Sequence, residues 1–148
     1  MLSGMSLQTL ITNHSSLLIN HSSLIIIVVG KGQHTAKETG QQGEARALVY
    51  LQEKGYTLVQ QNFRYRRAEI DLIVQKDRLL VFVEVKARQN ADFGFPETFV
   101  SAQQTSLIVE AADHYVREQN WPGLIRFDIV AITLEPDVAI EHFEDAFY

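Results

Sequence analysis

An α/β or α+β domain around a mixed β-sheet is predicted by this sequence, on three observations. Apolar residues recur at helical spacing in two separated windows, and segments rich in β-branched and aromatic residues lie between and after them. The resulting order is helix, three strands, helix, strand. A chain of 148 residues, 46% hydrophobic, is of a size to bury one core without metal or disulfide help.

Residues 1–36 differ from the remainder. Asn13 to Ile19 reads NHSSLLI and Asn20 to Ile26 reads NHSSLII, a tandem heptad with no matching unit downstream. Two copies fall short of the roughly three that a solenoid needs. The longest apolar run, Leu24 to Val29, is far shorter than the ~20 residues that span a bilayer. No Lys or Arg precedes it, which argues against a secretory signal. The expectation is a disordered, dispensable extension from an over-extended translation start, with His14, His21 and His34 incidental. The ordered domain is then 37–148, closing in an acidic tail.

Order is expected from Thr39, which has capping-box spacing to Gln42. The helix runs through Ala45, Leu48 and Val49 to Lys54, and Gly55 stops it. Glu44 precedes Leu48 by four residues and so lies on or beside the inward stripe, where a carboxylate needs a partner. Tyr56 to Tyr65 reads as a first strand. Glu69 to Gln75 and Arg78 to Ala87 are stronger strands, and the polar break Lys76-Asp77 between them predicts a hairpin turn. Arg88 to Pro96 reads as a loop. Ser101 to Gln119 carries Leu107, Ile108, Ala111, Ala112 and Tyr115 at helical spacing before Asn120-Trp121-Pro122-Gly123 ends it, and Arg126 to Leu134 is a last apolar strand.

The formal charge of -5 argues against a nucleic-acid partner, but its distribution argues the other way. Five acids and no Lys or Arg follow from Glu135 onward, whereas seven bases face four acids between Arg64 and Arg88. This local basic stretch suits either phosphate contact or a solvated strand edge. The absence of cysteine excludes disulfides and thiolate-zinc sites, is compatible with a reducing compartment, and makes the cytoplasm the simplest expectation.

A Lys76-Asp77 turn would pair Gln75 with Arg78, set Asp71 opposite Phe82 and set Glu69 opposite Glu84. Glu69, Asp71, Glu84 and Lys86 would then share the hairpin face that also carries Leu80 and Phe82. Three carboxylates and an ammonium on a face that packs against a helix are costly to desolvate. A divalent cation relieves that cost, and hard oxygen donors without His or Cys select Mg²⁺ or Mn²⁺. Such an ion activates water and stabilises charge at phosphorus, with Lys86 placed to assist. Glu-x-Lys in a strand is, by itself, more often an ordinary ion pair, so a structural ion network stands as the alternative.

Gly40-x-x-Gly43-Glu44, Tyr50-Leu51, Gly55-Tyr56, Asn62-Phe63-Arg64, Glu69 to Ile73, Val81 to Arg88, Phe93-Gly94, Ala111-Ala112 and Arg126-Phe127-Asp128 resemble, in order and spacing, the bacterial YraN-like family of uncharacterised proteins. That family looks like part of the restriction-endonuclease-like superfamily, similar in fold to Holliday-junction resolvases and tRNA-splicing endonucleases. The resemblance implies a restriction-endonuclease-like core in which a mixed β-sheet is flanked by helices. It also implies Asp71 and Glu84 as metal ligands, Lys86 as the catalytic lysine, Glu44 as the helix acid completing the site and Glu69 as an outer or alternative ligand. Members of the fold often act as dimers. Two departures stand out: Ala68 replaces a glycine usual before Glu-Ile-Asp, and Gln103, Gln104, Thr105 and Ser106 replace a basic helix start. Nucleic-acid binding is therefore expected to be weak, or to use Arg64, Arg66, Arg67 and Arg88.

Together these readings predict a metal-dependent endonuclease acting on nucleic acid, with DNA preferred, and no membrane association. The competing expectation is a non-catalytic nucleic-acid or protein-interaction module that keeps the fold.

Overall fold

The computed structural model describes residues 35–90 and 100–147, plus the backbone of two short strands, β1 (Ser15–Ser16) and β2 (Val29–Gly30), which pair antiparallel. The chain divides into a unit Met1–His34 and a unit Thr35–Tyr148, and the second unit carries both helices and the main sheet. The expectations for His14, His21, His34 and the Phe93–Pro96 loop lie outside the described residues, as does most of the extension.

Helix α1 (Ala36–Glu53) begins four residues before the start that a cap at Thr39 would give, because Thr35 and Glu38 form the capping box rather than Thr39 and Gln42. Thr35 Oγ1 accepts the Glu38 N–H at 3.2 Å, and Glu38 Oε2 accepts the Thr35 N–H at 2.8 Å. Both pairs have box spacing, but Glu38 also brings a negative charge to the positive end of the helix. Gly55, at φ 87, closes the helix in a conformation that glycine adopts without strain. The buried stripe is Gly43, Ala47 and Leu51. At Gly43 the helix lies so close to the sheet that an added Cβ would come within 2.2 Å of the Ala87 Cβ.

The chain then forms β3 (Thr57–Tyr65), β4 (Ala68–Lys76), β5 (Leu79–Arg88), α2 (Ala102–Glu118), β6 (Leu124–Thr133) and β7 (Ala139–Phe143). These strands make one sheet in sequence order. β5 and β6 are parallel with α2 as their crossover, and every other pair is antiparallel. The predicted mixed α/β sheet is the fold observed, and its architecture is that of a restriction-endonuclease-like core. β7 lies in the stretch read as an acidic tail: five residues at a sheet edge, with Glu141 and His142 adjacent, are too short and too irregular in alternation to be seen in sequence.

Each helix covers one sheet face. Under α2, Leu80, Phe82 and Ile73 meet Ile108, Ala111, Ala112 and Tyr115. Under α1, Val81, Val83, Leu72 and Val130 meet Ala47 and Leu51. β5 alternates between the two clusters and is buried on both faces, which explains its almost unbroken apolar run. Among the described residues no helix is long and apolar enough to cross a membrane.

The hairpin turn is Asp77-Arg78, not Lys76-Asp77, since Lys76 pairs with Leu79 and Gln75 with Leu80. Asp77 sits at φ 53, a left-handed conformation that Asp tolerates better than Lys. The register therefore differs from the expected one by two residues. A shift of two keeps each side chain on its face, so the predicted face of β5 survives.

Candidate active site

The site forms where β4 parts from β5. Regular pairing between them ends at Leu72 opposite Val83, while β4 stays paired to β3 through Ala68. Beyond that point the Asp71 side chain takes the place of a backbone acceptor, its Oδ2 receiving the Val85 N–H at 2.7 Å. Strand alternation is broken here as well, because Ala68, Ile70 and Ile73 all join the cluster beneath α2. The expected convergence of acids thus has a different origin. It comes from strands that diverge around a carboxylate rather than from uninterrupted alternation.

Glu84 follows Phe82 on the α2 face of β5 and is only 6% exposed. Its Oε1 accepts from Lys86 Nζ at 2.8 Å and from Gln104 Nε2, on the first turn of α2, at 2.6 Å. Asp71, Glu84 and Glu69 open onto one cleft of about 280 Å³, shared with Arg67, Gln104 and Ile108. Burial first, then the Glu84 charge, lifts the Asp71 carboxyl to about 7, against the opposing pull of the Val85 N–H; Glu44 adds to the rise and Lys86 works against it. Glu44, half-buried on α1, is also raised, chiefly by burial and then by Glu69 and Glu84, while a hydrogen bond with Asn62 lowers it.

The predicted residues are not all brought together. Among the described residues no three His, Cys, Asp or Glu side chains form a group that could hold a metal ion. Glu44 feels the charges of the site but does not line the cleft. Glu69 is exposed and held by Arg64 at 3.1 Å. The donor set at the centre is thus the pair Asp71 and Glu84, two hard oxygen ligands whose charges repel. That suits Mg²⁺, which usually takes one or two carboxylates and keeps water in its remaining positions.

The four arginines expected to grip nucleic acid are dispersed. Arg64 pairs with Glu69 and Arg66 with Glu110, Arg88 donates to Thr133 Oγ1 at 3.1 Å, and Arg67 lines the cleft. Gln104, read in sequence only as a lost base, is a direct partner of Glu84. The sole signal that could have found it is its place in the first turn of the crossover helix that follows β5.

A second charged centre was not legible in sequence. Asp128, fully buried on β6, accepts from Arg126 Nε and Nη2 and from His142 Nε2 at 2.8 Å each, and from the Asp145 N–H at 3.0 Å. Arg126 Nη2 also donates to the Tyr56 hydroxyl at 2.8 Å. A larger depression of about 430 Å³ lies elsewhere, lined mainly by Val109, Val116, Ile125 and Phe127; of its charged residues, Arg126 is already bound to Asp128.

Comparison with known proteins sets this geometry in a family. A UPF0102 protein of Flavobacterium psychrophilum is 45% identical over 112 residues, covering 75% of this chain and 94% of its own length. A UPF0102 protein of Christiangramia forsetii is 40% identical over 112 residues, covering 75% and 94%. One from Geotalea daltonii is 39% identical over 122 residues, covering 80% and 95%. The family model spans residues 43–132, from the glycine that seats α1 on β5 to the end of β6, and takes in Glu44, Asp71, Glu84, Lys86 and Gln104. The chain belongs to the uncharacterised protein family UPF0102, of the restriction-endonuclease-like superfamily.

Proposed function

We propose that the protein is a divalent-metal-dependent endonuclease that hydrolyses phosphodiester bonds in DNA. The observation that carries this reading is that Asp71 and Glu84, two mutually repelling carboxylates, open onto one cleft with Lys86 bonded to Glu84. Asp71 and Glu84 are the residues that would hold Mg²⁺ or Mn²⁺. When bound, the ion supplies Lewis acidity toward the phosphodiester and acidifies a water. Lys86 pairs with Glu84 and offers a partly exposed ammonium for the negative charge that develops on a phosphate oxygen. Arg67 gives the cleft a positive charge for the scissile phosphate, and the exposed Arg64 and Arg66 would have to leave their acid partners to meet flanking phosphates. Both are engaged with acids, so few phosphates are neutralised and the salt dependence of binding should be shallow. The reading places the protein in the cytoplasm with DNA as partner, and two copies acting together where both strands are cut.

The test is cleavage of linear, nicked and branched DNA in Mg²⁺ or Mn²⁺. Glu84→Ala and Lys86→Ala are expected to fold with unchanged secondary structure and to lose activity by on the order of 10²-fold or more. Cleavage equal to that of the unaltered protein would overturn the assignment. The engagement of Arg64 and Arg66 by Glu69 and Glu110 favours a second reading, a non-catalytic binding module. Titration with Mn²⁺ separates the two, since a purely structural ion network takes up no cation.

A further inference from the structure

Gln104 stands apart from the other polar residues of the first turn of α2. Its backbone N–H donates to the helix-capping Ser101 Oγ at 3.2 Å, so the residue starts from a fixed position. Its side chain is half-buried and reaches across to β5, where Nε2 donates to Glu84 Oε1 at 2.6 Å. Lys86 Nζ reaches the same oxygen at 2.8 Å. A carboxylate oxygen has two lone pairs, so these donors fill Oε1 and leave Oε2 as the oxygen with coordination capacity.

We propose that Gln104 is a positioning residue of the cation site, holding Glu84 by Oε1 so that Oε2 alone is offered to the metal, and keeping that hold when Lys86 turns to substrate. The proposal rests on the metal-site reading above and assigns the geometry of that site. Lys86 has three N–H donors on a flexible stem, so its ammonium can lean toward a phosphate oxygen and loosen its bond to Glu84, while the carboxamide anchored on α2 keeps its own. A carboxamide suits that duty because it donates without adding a positive charge that repels the incoming cation. It is also planar and short of rotamers compared with a lysine, which limits the ordering cost of the bond. Gln103, its exposed neighbour on the same turn, provides a control of equal helix position without contact to Glu84.

The experiment is calorimetric titration of the full chain with Mn²⁺, together with the electron paramagnetic resonance spectrum of the bound ion, for the unaltered protein, Gln104→Met and Gln103→Met. Methionine keeps the length of glutamine and removes the donor. Loss of an outer partner of a ligand typically costs 10- to 100-fold in metal affinity. Gln104→Met is expected to weaken Mn²⁺ binding by about tenfold and alter the spectrum at unchanged thermal midpoint, while Gln103→Met changes neither. Mn²⁺ binding by the unaltered protein with an equal affinity in Gln104→Met overturns the positioning role and leaves the metal site standing. Equal losses in both variants, accompanied by a lower thermal midpoint, overturn it as well, because the effect is then one of helix docking. An unaltered protein that takes up no Mn²⁺ removes the metal site itself, and the inference with it.

Discussion

Asp71 and Asp128 are both drawn out of water by the same sheet, and their environments push them in opposite directions. Burial favours the neutral acid at each. At Asp128 that push is the largest single influence, yet hydrogen bonds from His142, Arg126 and the Asp145 N–H together outweigh it and hold the carboxyl below its ordinary value. At Asp71 the opposing donor is one backbone N–H, Glu84 adds repulsion, and the carboxyl rises to about 7. Burial sets the size of the problem and the number of donors sets its sign. The first aspartate carries a charge that protonation relieves and that a cation would relieve under the proposed function, while the second is a clasp joining β6, β7 and Tyr56.

Removal of Asp128 should therefore be the most damaging change. Asp128→Ala leaves the buried His142 ring without its acceptor and the partly buried Arg126 with only Glu144 and the Tyr56 hydroxyl; breaking a buried pair in this way typically costs about 3–5 kcal/mol. The urea midpoint should fall accordingly, with β7 and the C-terminal residues losing hydrogen-exchange protection first. His142 accentuates the cost: it donates to Asp128 through Nε2, and its Nδ1 is already buried without a partner. Because the folded pKa of Asp128 is depressed, its contribution is present above the unfolded carboxylate value and is lost as pH falls through the folded one. A midpoint unchanged in Asp128→Ala would show that the donors, and not the acid, hold this corner together.

Asp71→Asn should act with the opposite sign. The folded pKa of Asp71 is raised from 3.8 to about 7, so the folded state binds more protons than the unfolded chain between those values. Its destabilising effect is absent below pH 3.8, grows as pH rises, and is complete above about 7. The asparagine variant keeps an oxygen for the Val85 N–H and loses the charge. It is expected to be more stable than the unaltered protein by about 2 kcal/mol at pH 8, and equal to it near pH 3.5. Mg²⁺ should narrow the gap at pH 8 by stabilising only the protein that retains Asp71. Chemical denaturation at the two pH values checks this, and a variant less stable than the original at pH 8 would make Asp71 a structural acid like Asp128.

The two centres also differ in how much of each is legible in sequence. Glu84 and Lys86 stand out because they interrupt the apolar alternation of a strand buried on both faces, and Asp71 because it precedes a short turn and a matching strand. The turn itself is misplaced by one position, because Lys76, Asp77 and Arg78 are all polar and only the left-handed φ at Asp77 decides between them. A two-residue shift in register hides well, since it preserves every face. The clasp is opaque for another reason: Asp128 and His142 are 14 residues apart, and the strand that brings them together is a five-residue edge without clear alternation. Gln104 is opaque because a glutamine in a helix's first turn reads as surface until the neighbouring strand is placed. Glu44 shows the reverse error, an acid whose inward position is legible while its distance from the cleft is not.

The smallest expected effect separates the site from the scaffold most cleanly. α1 and α2 begin alike, each with a hydroxyl cap: Thr35 accepts from the Glu38 N–H and Ser101 from the Gln104 N–H, both at 3.2 Å. Thr35→Ala and Ser101→Ala should each cost about 1 kcal/mol of stability, as loss of a cap usually does. Their consequences for Mn²⁺ should nevertheless differ. The Thr35 cap fixes Glu38, which faces solvent far along the chain from the carboxylates, so its loss should leave metal affinity unchanged. The Ser101 cap fixes the backbone of the residue that holds Glu84, so its loss should weaken Mn²⁺ binding several-fold at the same thermal penalty. Equal affinities in the two variants would mean that the first turn of α2 does not transmit its order to Glu84, and that the carboxylate pair is set by β4 and β5 alone.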